Sequence, residues 1–200
     1  MLTRRRFATV LGAATVGLSR AGAARAGTYG EHALGPEDAP VTVIEFASMT
    51  CPHCAAFHNE TFGKLRETYI DPGKIRFVFR DFPLDGVAVR AAALAHCAGP
   101  ERYFGFLDVL FQTQSTWARD PDPMAALTKI GRLGGLDAAT IQGCLNDGDL
   151  IDSILGSRQR GEQEFDVSST PTLVINGEVY DGDRTFEAMS KAIDALLPPS

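Results

Sequence analysis

Val41-Thr42-Val43-Ile44-Glu45-Phe46, Ala47-Ser48-Met49-Thr50 and Cys51-Pro52-His53-Cys54 follow one another without interruption, and this stretch decides the fold. The first six residues are β-branched and nearly continuous in apolar character, as in a strand buried on both faces. The next four form a short connection. From Pro52 to Ile70 the spacing of Phe57, Phe62, Leu65 and Tyr69 is helical, and Pro52 is tolerated in a first turn that needs no N–H from it. Asp71-Pro72-Gly73 ends that helix, and residues 74–80, with Ile75, Phe77, Val78 and Phe79, predict a second strand. Strand, helix, strand in this order predicts a parallel pair joined by a right-handed crossover.

The Cys pair stands at the start of the helix. Two thiols separated by two residues can close a small disulfide and reopen it. The first lies where unpaired N–H groups and the positive end of the helix dipole converge, which favours its thiolate. Thiols in Cys-X-X-Cys motifs titrate at roughly 3.5–7.5 against about 8.5 for a free Cys. The pattern points to thiol–disulfide exchange.

Upstream, residues 27–39 read as an irregular lead-in. Downstream the pattern changes after Pro83. Residues 86–98, 101–115, 123–133, 138–146 and 149–164 carry helical patterns, broken by Gly99-Pro100, Asp120-Pro121-Asp122-Pro123 and Gly134-Gly135. Asp122 and Asp137 are N-cap candidates, and Gly134 or Gly135 closes the helix before them. Strand signals return at residues 172–176, and Asn176-Gly177 favours a tight hairpin into Val179-Tyr180. A final helix spans about residues 185–197, before Pro198-Pro199. The sequence holds no internal repeat and no low-complexity tract.

Residues 1–26 are set aside as a cleaved export segment. Arg4-Arg5-Arg6-Phe7, a weakly apolar stretch from Ala8 to Leu18 and Ala24-Arg25-Ala26 resemble a twin-arginine (Tat) signal, with an ordinary secretory signal as the other reading. Cleavage would remove five Arg and no acid, so Lys plus Arg falls from 19 to 14 against 25 acids, a formal charge of about −11. That acidity argues against nucleic acid or anionic lipid as a natural partner. At 44% apolar and 22% charged, the remainder suits one globular domain with an insertion. Four Cys in an exported chain leave Cys97 and Cys144 as candidates for a second pair beside Cys51 and Cys54.

Strand, Cys-Pro-His-Cys, helical insertion and Thr170-Pro171 before a hairpin together resemble the DsbA-like branch of the thioredoxin superfamily, over roughly residues 38–197. The resemblance implies an α/β thioredoxin fold, a central mixed β-sheet flanked by helices, with an inserted all-helical subdomain. Its first part is residues 27–84, the insertion 85–164, and its second part 165–200. It implies an exposed nucleophilic Cys51, a buried resolving Cys54, and His53 stabilising the Cys51 thiolate. Thr170-Pro171 matches the family's substrate-binding cis-proline loop, the other reading being an ordinary trans proline at an edge strand. Glu45 matches a buried acid that assists proton transfer at the resolving Cys; otherwise it points to solvent. His58, where the best-known member has an acid, carries no role over and is expected to be an exposed helix residue. Cys97 and Cys144 match a non-catalytic disulfide of some relatives, particularly an α-proteobacterial group, with two buried free thiols as the alternative.

The activity so implied is a periplasmic protein dithiol oxidase acting on reduced exported proteins. It needs no cofactor beyond the Cys51–Cys54 disulfide, works as a monomer, and is reoxidised by a DsbB-like membrane partner. Thr170 differs from the Val of the best-known oxidase and resembles many isomerases and reductases, so isomerase or reductase is the competing reading. A metal-binding module built on Cys51 and Cys54 is a remote third, because Cys97 and Cys144 lack the short spacing of zinc ligands.

Overall fold

The computed structural model describes residues 30–199. The expected export segment, residues 1–26, lies outside them. Among the described residues one mixed sheet is built from β1 (His32–Leu34), β2 (Val41–Ala47), β3 (Ile75–Asp81), β4 (Thr172–Ile175) and β5 (Glu178–Tyr180), in the order β1-β3-β2-β4-β5. β2 and β3 run parallel, with Val41 opposite Ile75 and Ala47 opposite Asp81. The other neighbours are antiparallel. Between β2 and β3 runs helix α1, residues 52–70, in which wider π-helical turns occupy His58–Phe62 and Arg66–Ile70.

The insertion contains α2 (Gly86–Cys97), α3 (Tyr103–Gln112), α4 (Gln114–Trp117), α5 (Pro123–Leu133), α6 (Ala138–Leu145) and α7 (Gly148–Phe165), and α8 (Phe186–Asp194) follows the hairpin. Asp122 and Asp137 cap α5 and α6 by accepting the N–H groups of Ala125 and Thr140, each such cap being worth about 1 kcal/mol. Asn176 and Gly177 both take positive φ, 47° and 87°, which a tight hairpin turn of this kind requires. Cys97 and Cys144 are joined in a disulfide with Cα atoms 6.1 Å apart, tying the end of α2 to α6.

One expectation is corrected. The lead-in at 27–39 is not wholly irregular, since His32–Leu34 pairs with Phe77–Phe79 as an edge strand. Three residues are too few to show a period, and tertiary contacts hold them. The His32 ring stacks on Tyr103 with centroids 3.5 Å apart. His96 Nε2 donates to Asp81 Oδ2 at 2.7 Å, and His96 Nδ1 shares a hydrogen bond with His32 Nε2 at 3.0 Å, so a chain of hydrogen bonds ties β1 to β3 through α2.

The two faces of β2 go into different cores, as a period of two dictates. Val41, Val43 and Ala47 enter the large core with α1 and the insertion, while Phe46 joins Phe82, Val167 and Val174 in a smaller one. The C-terminal part of α7 closes over the smaller core. Gly161 makes this approach, since a Cβ there would lie 2.8 Å from Phe46 Cε1.

Candidate active site

The parity that sends Val41 and Val43 inward also sends Glu45 inward, toward α1. At the end of β2 the chain turns through Ser48–Thr50, where Cys51 N–H donates to Ser48 O at 3.1 Å. Cys51 is the N-cap of α1, extended at φ −76° and ψ 119°, with Pro52 in the first turn. Two long-range contacts fix this turn. The buried Gln114 side chain donates to Met49 O at 2.8 Å and to Cys51 O at 2.9 Å. Thr50 Oγ1 donates to Asp85 Oδ2 at 2.7 Å, while Asp85 caps α2. From the other side comes the loop before β4, where Thr170-Pro171 is a cis peptide. Cys51 Sγ donates to Thr170 O at 3.3 Å.

The two thiols differ sharply. Cys51 is lowered from 9.0 to about 5, chiefly by the hydrogen bond from the Cys54 thiol, helped by Thr170 and by the N–H groups of Cys54 and His53, and opposed by burial. Cys54 is pushed well above 9.0, first by burial, then by that same hydrogen bond and by the charge of Glu45. Thr170 changes role with protonation state. Toward the thiol its carbonyl accepts, while Thr170 Oγ1 is buried without a hydrogen-bond partner and is available to donate to the thiolate, the direction in which its side chain shifts Cys51.

Cys51 is less open than expected: it is 5% exposed against 0% for Cys54, because the Thr170 loop covers it. His53 is exposed, and it acts on Cys51 through its backbone N–H. His58 corrects an expectation outright. It is not an exposed helix residue: its side chain is 2% exposed, and Nε2 lies 2.8 Å from Oε2 of the fully buried Glu45. Phe111 stacks on the His58 ring at 4.2 Å, and Phe62 lies tilted at 4.7 Å. Among the described residues no three His, Cys, Asp or Glu side chains gather as metal ligands would.

The family profile described as Thioredoxin matches residues 28–195. The crystal structure of Wolbachia pipientis alpha-DsbA1 superposes with a TM-score of 0.78 at 31% identity, covering 83% of this chain and 90% of that one. This chain belongs to the DsbA-like branch of the thioredoxin family. A Rickettsia felis protein, named as a candidate protein-disulfide oxidoreductase, is 33% identical over 165 residues, which are 82% of this chain and 59% of its own length. The chain thus spans about three fifths of that relative. Disulfide bond formation protein D of Bacillus subtilis is 29% identical over 178 residues, covering 84% of this chain and 78% of its own.

In this DsbA-like protein, Cys51, Pro52, His53, Cys54, Glu45, Thr170 and Pro171 converge on one site. Cys97 and Cys144 are bonded to each other within the helical insertion. Nothing in the sequence marks Gln114, because a glutamine in a helix carries no signal of the two carbonyls it will meet. The sequence does carry a signal for the burial of His58 that the expectation of an exposed residue passed over: it stands four residues after Cys54 and so on the same helix face. Beside the Cys turn opens a cleft of about 510 Å³, bounded by Thr50, Pro52, Asp85, Gln112 and Arg119.

Proposed function

We propose that this protein is a dithiol oxidase that introduces disulfide bonds into reduced exported proteins in the periplasm. A substrate thiolate attacks Cys51 Sγ of the Cys51–Cys54 disulfide, and the Cys54 sulfur leaves and takes up a proton. A second substrate thiolate then attacks the substrate sulfur of the mixed disulfide, and Cys51 leaves as a thiolate. The substrate gives up two electrons, which the enzyme dithiol holds until a membrane-bound reoxidant of the DsbB type removes them. The chain works as a monomer, and residues 1–26 direct its export by the Tat route.

The observation that carries this reading is the split between two thiols of one motif, Cys51 held at about 5 and Cys54 well above 9.0. A low-pKa thiol is a good leaving group and stabilises the reduced enzyme, which makes the disulfide form oxidising. The Thr170-Pro171 loop supports it further, since its edge beside Cys51 offers strand-like pairing to an extended substrate.

The test is oxidation of a reduced, unfolded disulfide protein. Wild-type protein is expected to oxidise it and Cys51→Ser to be inactive; an active C51S protein overturns the reading. A redox titration against glutathione separates the oxidase from an isomerase or reductase, whose disulfide would be more reducing. Fusing residues 1–26 to a reporter and deleting each translocation system decides the export route.

A further inference from the structure

Opening the disulfide leaves a problem at Cys54. Its sulfur departs into a site with no exposed surface and must be protonated there. Glu45 is the carboxylate whose charge acts on it, yet Glu45 is itself fully buried and cannot exchange protons with bulk water. Its Oε2 lies 2.8 Å from Nε2 of His58, on the helix that carries Cys54 and one turn beyond it. Two atoms of the pair, Glu45 Oε1 and His58 Nδ1, are buried without a hydrogen-bond partner. A polar group left so is costly, about 1–3 kcal/mol, and asks for an explanation.

Around the pair the walls are aromatic: Phe57, Phe62, Phe79 and Phe111 all lie with ring centroids within 5.9 Å of His58. The charged groups that face it are few. β2 supplies Glu45, and α3 supplies the half-buried Asp108, which feels the charge of His58 and also that of Arg66 on α1. His58 therefore stands between a sealed carboxylate and one that reaches the surface region.

Resting on the exchange reading above, we infer that His58 is a positioning residue that shares one proton with Glu45 and thereby keeps that carboxylate supplied for the Cys54 sulfur. With the proton present, the pair is an imidazolium beside a carboxylate and is neutral as a whole. When Cys54 leaves Cys51, the proton passes through Glu45 to the Cys54 sulfur, which becomes a neutral thiol. The pair is left with one net negative charge. Such a charge is unfavourable in a dry site, so the imidazole regains a proton from the Asp108 side. In resolution by Cys54 the same steps run backward. Electrons move only among the sulfurs, and the pair gains or loses one proton per turn.

The experiment measures reduction of the oxidised protein by a small thiol, with the rate expressed per thiolate, from pH 5 to pH 9. Wild-type protein is expected to slow as pH rises and the shared proton is lost. His58→Gln keeps a hydrogen bond to Glu45 but cannot titrate; its profile is expected to be flat, and its rate at the acid end lower by about 10²-fold, the lower end of what a positioned acid contributes. A wild-type profile in folded H58Q overturns the inference. If H58Q does not fold, Asp108→Asn at its half-buried site decides: its profile midpoint should move to lower pH, and an unmoved midpoint overturns the inference. This reaction needs no protein substrate. A protein whose disulfide reacts with small thiols but not with unfolded proteins would remove the functional reading and leave this one standing.

Discussion

Cys51 Sγ sits 3.3 Å from the carbonyl oxygen of Thr170, a residue 119 positions away in the chain. A helix N-terminus and a loop before an antiparallel strand thus share one sulfur. The helix supplies N–H groups that favour the thiolate, and the loop supplies a hydroxyl that can join them.

The Cys51 thiolate should appear with a midpoint of about 5 when the reduced protein is titrated by its ultraviolet absorbance. Cys54→Ala removes the largest favourable contribution and should raise that midpoint more than Thr170→Val does, while both should raise it. Equal and unmoved midpoints would show that these contacts do not set the thiol's acidity.

Stability of the reduced form follows by linkage. The folded value of Cys51 lies below its unfolded one, so the folded state binds fewer protons between about 5 and 9.0. The resulting stabilisation is complete above the unfolded value and is lost as pH falls through the folded one. Cys54, raised above 9.0, acts in the opposite direction only on the alkaline side. The melting temperature of reduced protein should therefore rise relative to oxidised protein from pH 5 toward pH 9, which paired thermal melts will read.

His32 has the same sign in a different window. Burial, then the charge of His96, lowers it from 6.5 to about 4, against a smaller opposing effect of Asp81. Its neutral form anchors β1, so that contribution is present above 6.5 and disappears as pH falls toward 4. Acid melts should show a steeper loss over this range in wild type than in His32→Gln.

The Cys97–Cys144 bridge closes a loop of 47 residues. Chain entropy assigns such a loop about 4 kcal/mol, less any native strain. Replacing both residues by Ala should lower the denaturant midpoint by a corresponding amount without abolishing exchange at Cys51. An unchanged midpoint would mean that the insertion is held by packing alone.

Much of this was legible in the residues themselves. The apolar run 41–46, the helical spacing after Cys51 and the caps at Asp122 and Asp137 are local signals, and each became the element its pattern predicts. The strand at His32–Leu34 was not legible, since its reason lies in Phe77–Phe79, Tyr103 and His96. His58 shows the same division. Its spacing from Cys54 follows from the sequence, but its burial against Glu45 depends on β2 passing beneath α1 and on Phe111 arriving from the insertion.

The sequence by itself determined the order of strands and helices and the presence of a reactive Cys pair at a helix start, because periodicity and capping act over a few residues. Only the tertiary structure decided which groups surround those thiols. Thr170 reaches Cys51, Gln114 reaches its carbonyl, and Cys97 meets Cys144 across long loops. Burial and charge at such meeting points, which push Cys51 down and Cys54 up, belong to the folded volume and have no counterpart in a local stretch of chain.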